Sequence, residues 1–209
     1  MPWIRRFYCQ LPKFSIPLFS MFLLVGPVSA ATTFENMQAA FNGESNAHAR
    51  YLAFAHRAAG EGYGEVASLF RAAARAEEIH AANHAAVIKE MGGTPQAHLE
   101  TLTVKSTREN LEVAIKGESY ERDAMYPEFL KQARADHNTR AIRSLNYART
   151  AEIEHAQLYT AALRHLDRLK GTDHGMFYVC PTCGFTVRDT NFEKCPSCFT
   201  AKEFFEVIS

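Results

Sequence analysis

The sequence predicts a mainly α chain: a four-helix bundle followed by a small cysteine-rich domain. Two observations carry this. Glu44 is followed 33 residues later by the E-x-x-H unit Glu77…His80, and Glu118 is followed 34 residues later by a second such unit, Glu152…His155. A helix-pair device written twice in one chain is the pattern of a bundle that holds two metal ions between facing helices. The chain then closes on Cys180-x2-Cys183…Cys195-x2-Cys198, two pairs within 19 residues, which is far more often a metal site than a disulfide framework.

The elements follow in order. A first helix runs from Phe34 to near Gly60, with Met37, Phe41, Glu44, His48, Tyr51 and Ala55 at the three-and-four spacing of one face, and Gly60-Glu61-Gly62 ends it. The second runs from about Gly64 to Met91, its stripe formed by Val66, Phe70, Ala73, Glu77, His80, His84, Val87 and Met91, and stops at Gly92-Gly93 and Pro95. Thr94 to Lys105 is a long connection to the second pair. The third helix opens at Ser106 with Glu109 three residues on, a capping box, and carries Leu111, Ala114, Glu118, Glu121 and Met125. Pro127, lacking a backbone donor, predicts a kink. The fourth spans about Asn138 to Lys170, with Ile142, Leu145, Ala148, Glu152, His155, Tyr159, Ala162 and Leu166 on one face. The bundle thus occupies 31–170, 171–175 is a linker, and 176–209 is a compact, mostly β or irregular domain.

Length and composition agree with this plan. A chain of 209 residues holds one bundle and a satellite domain, and 47% hydrophobic with 22% charged residues suits a soluble globular protein. The formal charge is zero, but Arg5, Arg6 and Lys13 are unopposed in the first thirty residues, leaving 20 basic against 23 acidic residues beyond them. That balance excludes a nucleic-acid footprint. The basic start, the apolar run Leu18–Val25 and the small residues Val28-Ser29-Ala30 read as a signal peptide over 1–30, cut before Ala31, and predict export to the periplasm with no membrane span remaining. An over-extended gene start, with Met21 or Met37 as the true beginning, would leave the protein cytoplasmic. Cys9 would leave with the leader.

Each acidic station stands where Leu or Ile would normally face a core. A buried, unpaired carboxylate costs several kcal/mol or takes up a proton. The same violation on four helices is offset economically by two cations, and a carboxylate–imidazole set suits iron or manganese. Spacing i, i+3 puts Glu77 with His80, and Glu152 with His155, on one face. Glu121 adds a seventh candidate one turn beyond Glu118. The four thiolates of Cys180, Cys183, Cys195 and Cys198 accept either one iron or one zinc in tetrahedral geometry. His48 and His84 are read as satisfied core or rim histidines.

With Gly43-Glu44-Ser45, Glu77-Glu78-Ile79-His80, Gly117-Glu118-Ser119-Tyr120-Glu121, Met125-Tyr126-Pro127 and Glu152-Ile153-Glu154-His155, nearly everything after residue 33 resembles the rubrerythrin family: a ferritin-like bundle joined to a rubredoxin-like domain. The resemblance implies a diiron centre that reduces hydrogen peroxide to water. It implies Glu44, Glu77, Glu118, Glu121, Glu152 and His155 as ligands, with His80 and Glu121 exchanging at one iron. Tyr51 and Tyr126 match positions that hydrogen-bond the ligands. Around the cysteines, Tyr178, Gly184, Pro196, Phe185, Phe204 and Phe205 look like rubredoxin. Phe199 in place of a glycine, and the short gap of 11 residues between pairs, are similar to its abbreviated form in this family. Electrons would come from a redox protein or reductase drawing on NAD(P)H. Because the linker is short, the resemblance implies a head-to-tail homodimer in which the cysteine domain serves the partner subunit. Two other readings stay open: ferritin-like iron oxidation or handling, and a non-enzymatic electron carrier or redox sensor.

Overall fold

The computed structural model describes residues 31–209; the leader and its cleavage site lie outside the described residues. Helix α1 (Thr33–Gly60) begins on a capping box in which the Thr32 hydroxyl accepts from the Glu35 N–H and the Glu35 carboxylate accepts from the Thr32 N–H. Gly62, at φ +79°, turns the chain into α2 (Gly64–Glu90) in a conformation that glycine adopts at no steric cost. The pair α1–α2 is the main packing unit, closed at its far end by Gly93 against the Phe34 ring, where a methyl group would have no room. Met91, predicted on the α2 stripe, is exposed, because it caps the helix end.

The crossover of residues 92–106 is pinned by a ladder of amide side chains on α1. Gln38 donates to the Thr94 carbonyl and accepts from the Gln96 N–H. Asn42 accepts from the His98 N–H, and Asn46 accepts from the Glu100 N–H while donating to the His98 carbonyl. Three side chains four residues apart thus satisfy backbone groups of a segment with no ladder of its own.

Helix α3 (Thr107–Tyr120) has the Ser106/Glu109 capping box the sequence predicts. The kink expected at Pro127 is instead a π-helical turn, Glu121–Met125, running into α4 (Tyr126–Ala135). The Tyr126 N–H reaches back five residues to the Glu121 carbonyl, and the missing Pro127 donor falls in the first turn of α4, where it costs least. Helix α5 (Thr139–Arg164) ends earlier than the predicted Lys170, in a tighter turn that buries Leu166. No helix among the described residues is long and apolar enough to cross a membrane.

The chain then returns to the α1–α2 turn, where the Gly171 N–H donates to the Gly62 carbonyl at 2.8 Å, and climbs along α2. Strands β1 (Phe177–Val179), β2 (Thr186–Val187) and β3 (Glu206–Ile208) form an antiparallel sheet in the order β2-β1-β3. The expectation that the short linker keeps this domain from its own bundle is corrected. Arg75 grips Glu206 with two hydrogen bonds of 2.7 and 2.8 Å, Arg71 donates to the Ser209 carbonyl, and Asn83 donates to the Thr182 carbonyl. The linker reaches because the end of α5 lies beside the start of α2, so the domain need only follow α2 upward.

Asn46→Ala, which strands two crossover backbone groups, should lower unfolding free energy by about 1–3 kcal/mol in urea titrations; unchanged stability would show that the ladder is incidental.

Candidate metal centres

Glu44 comes from α1, Glu77 and His80 from α2, Glu118 from α3, and Glu152 and His155 from α5, each no more than 1% exposed. Their ligand atoms form two groups, Glu44–Glu77–His80–Glu152 and Glu77–Glu118–Glu152–His155, with the atoms of each group within 4.8 Å of one another. Glu77 and Glu152 belong to both, the position of carboxylates bridging two cations. The E-x-x-H spacing does the local work: His80 Nδ1 lies 2.8 Å from Glu77 Oε2, and His155 Nδ1 lies 2.9 Å from Glu152 Oε2.

Glu121, from the π-helical turn, is half-buried and stands outside both groups, whereas His80 is turned in. The tyrosines hold the outer carboxylates. Tyr51 donates to Glu118 Oε1 at 2.5 Å, and Tyr126 donates to Glu44 Oε1. Tyr51, Phe54, Phe70 and Tyr159 pack as an aromatic floor with ring centroids 5.1–6.3 Å apart. His48 points its Nδ1 at the Ala74 carbonyl and is satisfied there. His84 is closer to the chemistry than its sequence reading suggested. It is fully buried, with Nδ1 2.8 Å from Ser144 Oγ and Nε2 3.3 Å from the Tyr126 hydroxyl, and burial pushes its pKa down to about 3.

Cations fit this pocket on two counts. Glu44 Oε2, Glu77 Oε1, Glu118 Oε2, both Glu152 oxygens and His155 Nδ1 are buried without a hydrogen-bond partner, and all belong to the two groups. Native interiors rarely leave so many polar atoms unmet. Without cations the charges also conflict. Burial, then the neighbouring Glu77, Glu121 and Glu152, pushes the Glu44 carboxyl well up; burial, then Glu77 and Glu118, does the same to Glu152. At Glu77 burial acts upward too, but the His155 and His80 imidazoles beside it outweigh it and hold the group low.

At the other centre the four cysteine sulfurs lie within 4.8 Å of one another, with Cys180 and Cys198 at 3.4 Å and Cys183 and Cys195 at 3.6 Å. Hydrogen bonding from the Cys183 and Cys195 thiols holds Cys180 far below the usual thiol range, while hydrogen bonding with Cys180 pushes Cys183 and Cys195 up, so without a cation the cluster favours one thiolate held by its neighbours. Two matching turns shape it: the Gly184 N–H donates to the Cys180 carbonyl, and the Phe199 N–H to the Cys195 carbonyl. Gly184 (φ +74°) and Phe199 (φ +65°) share a left-handed conformation, strained for the phenylalanine, whose ring is exposed. Phe185 and Phe205 pack around the sulfurs as expected, but Phe204 points to solvent and Phe192 takes its place.

The two centres meet. The outer nitrogen of each ligand imidazole touches the first cysteine turn, His80 Nε2 at 3.1 Å from the Cys183 carbonyl and His155 Nε2 at 3.1 Å from Thr186 Oγ1. A helical bundle built around a carboxylate-bridged metal pair, with a four-cysteine centre seated on its histidines, is the class of protein that fold and sites define. A family model described as Rubrerythrin matches residues 35–163. Nigerythrin of Nitratidesulfovibrio vulgaris is 38% identical over 178 residues, spanning 85% of this chain and 87% of that protein. Rubrerythrin-2 of Clostridium acetobutylicum is 37% identical over 182 residues, spanning 87% and 99%. A nigerythrin structure described as fully reduced and all ferrous superposes with a TM-score of 0.78 at 37% identity, covering 88% of this chain and 91% of that one. A bacterioferritin of Desulfovibrio desulfuricans, at TM-score 0.63 and 24% identity over 68% of this chain, shares the fold. The chain belongs to the rubrerythrin family. Its carboxylate–histidine set and its four-cysteine cluster match the iron centres of nigerythrin and rubrerythrin.

In the metal-free protein the raised carboxyl groups bind protons more tightly folded than unfolded. Their contribution to stability is complete below the ordinary value of 4.5 and is lost as pH rises through the folded values. The melting temperature of chelated protein should therefore fall from about pH 5 upward, and metal loading should remove that fall. A metal-free melting temperature that climbs over the same range would contradict the crowding of charge described above.

Proposed function

We propose that the chain is a peroxidase that reduces hydrogen peroxide to two waters with two electrons and two protons, replenished through the four-cysteine centre. The observation that carries this reading is the contact of one cysteine turn with both ligand histidines, which puts a one-electron carrier against a two-electron site. When bound, a ferrous pair would supply both electrons and Lewis-acid stabilisation of the departing oxygen. Glu77 and Glu152 would hold the pair together, Glu44 and His80 completing one side and Glu118 and His155 the other.

The surrounding residues manage protons and water. Tyr51 and Tyr126 donate to Glu118 and Glu44, keeping one oxygen of each carboxylate occupied and its partner oxygen free for a cation. Burial, then the charges of Glu118, Glu152 and Glu77, pushes the Glu121 carboxyl well up and so favours its protonated form within a turn of the site. That makes it the proton donor of choice, and its place just outside the ligand groups agrees with the exchange against His80 that family resemblance implies. The aromatic floor excludes water from beneath the pocket. Iron in the four-cysteine centre supports one-electron transfer, whereas zinc would not. The external reductant is a redox protein or reductase linked to NAD(P)H, and the leader directs the mature protein out of the cytoplasm.

Glu121→Ala should leave metal content intact while slowing peroxide oxidation of the reduced centre by about 10²-fold in stopped-flow absorbance. Equal rates for the variant and the parent would remove Glu121 from the reaction. With the parent protein, peroxide should oxidise the diferrous centre faster than dioxygen does; the reverse order would favour ferritin-like iron oxidation.

A further inference from the structure

Cys180 to Val187 forms a hairpin whose tip covers both ligand imidazoles, and the two contacts differ in kind. His80 meets a backbone carbonyl, that of Cys183, which every residue at that position would supply. His155 meets a side chain: the hydroxyl of Thr186, fully buried and 3.1 Å from Nε2. That hydroxyl already donates to the Gly184 carbonyl at 2.9 Å, so toward His155 it presents only lone pairs. The Nε2 hydrogen of His155 is thereby directed at Thr186, which leaves Nδ1 as the nitrogen that would ligate a cation. Nδ1 is the atom that faces Glu77, Glu118 and Glu152, at 3.4, 3.6 and 2.9 Å, and it has no hydrogen-bond partner of its own.

We infer that Thr186 is a positioning residue for the His155 half of the metal pair, locking that imidazole in the one tautomer and orientation that can ligate. The inference rests on the metal-centre reading above. The hairpin is built for the task, because nothing else fits between it and the bundle. A methyl group on Gly184 would lie 2.3 Å from His80 Nε2 and 3.2 Å from the Ala76 carbonyl, so the turn is seated with no slack to slide away from His155. A fixed tip turns one hydroxyl into a fixed acceptor. Losing the outer partner of a metal-bound histidine weakens metal binding by about 10- to 100-fold, and here the loss should fall on one metal position only, since the carbonyl that steadies His80 is untouched.

The test uses the full chain with its four-cysteine centre loaded and the bundle stripped by chelation, then titrated anaerobically with Fe²⁺ against a chromophoric chelator. Thr186→Val keeps the shape and removes the hydroxyl; Thr186→Ser keeps the hydroxyl and removes the methyl. The expected result is two strong bundle sites in the parent and in Thr186→Ser, and one strong site with one weakened by about 10- to 100-fold in Thr186→Val. A packing role predicts the opposite ranking, with valine tolerated and serine harmful, and that ranking, or parent-like binding by both variants, would overturn the inference. Bundle sites absent from the parent itself would overturn the metal-centre reading on which it stands.

Discussion

Four glutamates from four helices, all withdrawn from water at one point, set the terms for everything else in this molecule. Carboxylates so placed repel one another and forfeit hydration worth several kcal/mol each. Two cations resolve both problems at once, and the remaining features of the bundle follow from keeping those cations in place. The aromatic floor seals the pocket, Tyr51 and Tyr126 each fix one carboxylate, and the histidines close the two sides. Even the ladder of Gln38, Asn42 and Asn46 serves the same end, since it ties down the crossover that brings Glu118 in from the second helix pair.

Much of this was legible in the sequence because it is written in short-range spacing. A charged residue on an apolar helical stripe is conspicuous, and the i, i+3 relation of Glu77 to His80 fixes a shared face without knowledge of the fold. The start of the third helix was equally plain, since Ser106/Glu109 act within four residues. What escaped the sequence depends on distance or on competition. Pro127 was visible, but whether the helix answers with a kink or an extra residue in the turn is settled by neighbouring helices. His84 stands on the predicted stripe, but its partners, like that of Thr186, come from 60 and 31 residues away. The seating of the cysteine domain on its own bundle was misjudged for the same reason. Linker length bounds reach only when the positions of both ends are known.

That seating joins two centres that could each exist alone. A four-cysteine site on a mobile tether would deliver electrons by collision, whereas Arg75–Glu206, Arg71–Ser209 and Asn83–Thr182 hold this one still. The two histidines therefore face in two directions, one nitrogen toward the carboxylates and the other toward the cysteine turn. Disturbance at either end is felt at the other.

Gly184 gives this arrangement a further meaning for protein engineering. Its missing side chain is what lets the turn lie flat on His80, so the two domains are matched parts rather than interchangeable modules. A chimaera that grafts a foreign iron–sulfur knuckle onto this scaffold would inherit the interface only if the donor also has glycine directly after its second cysteine; any bulkier residue there would pry the graft off the bundle and open a gap in the electron path.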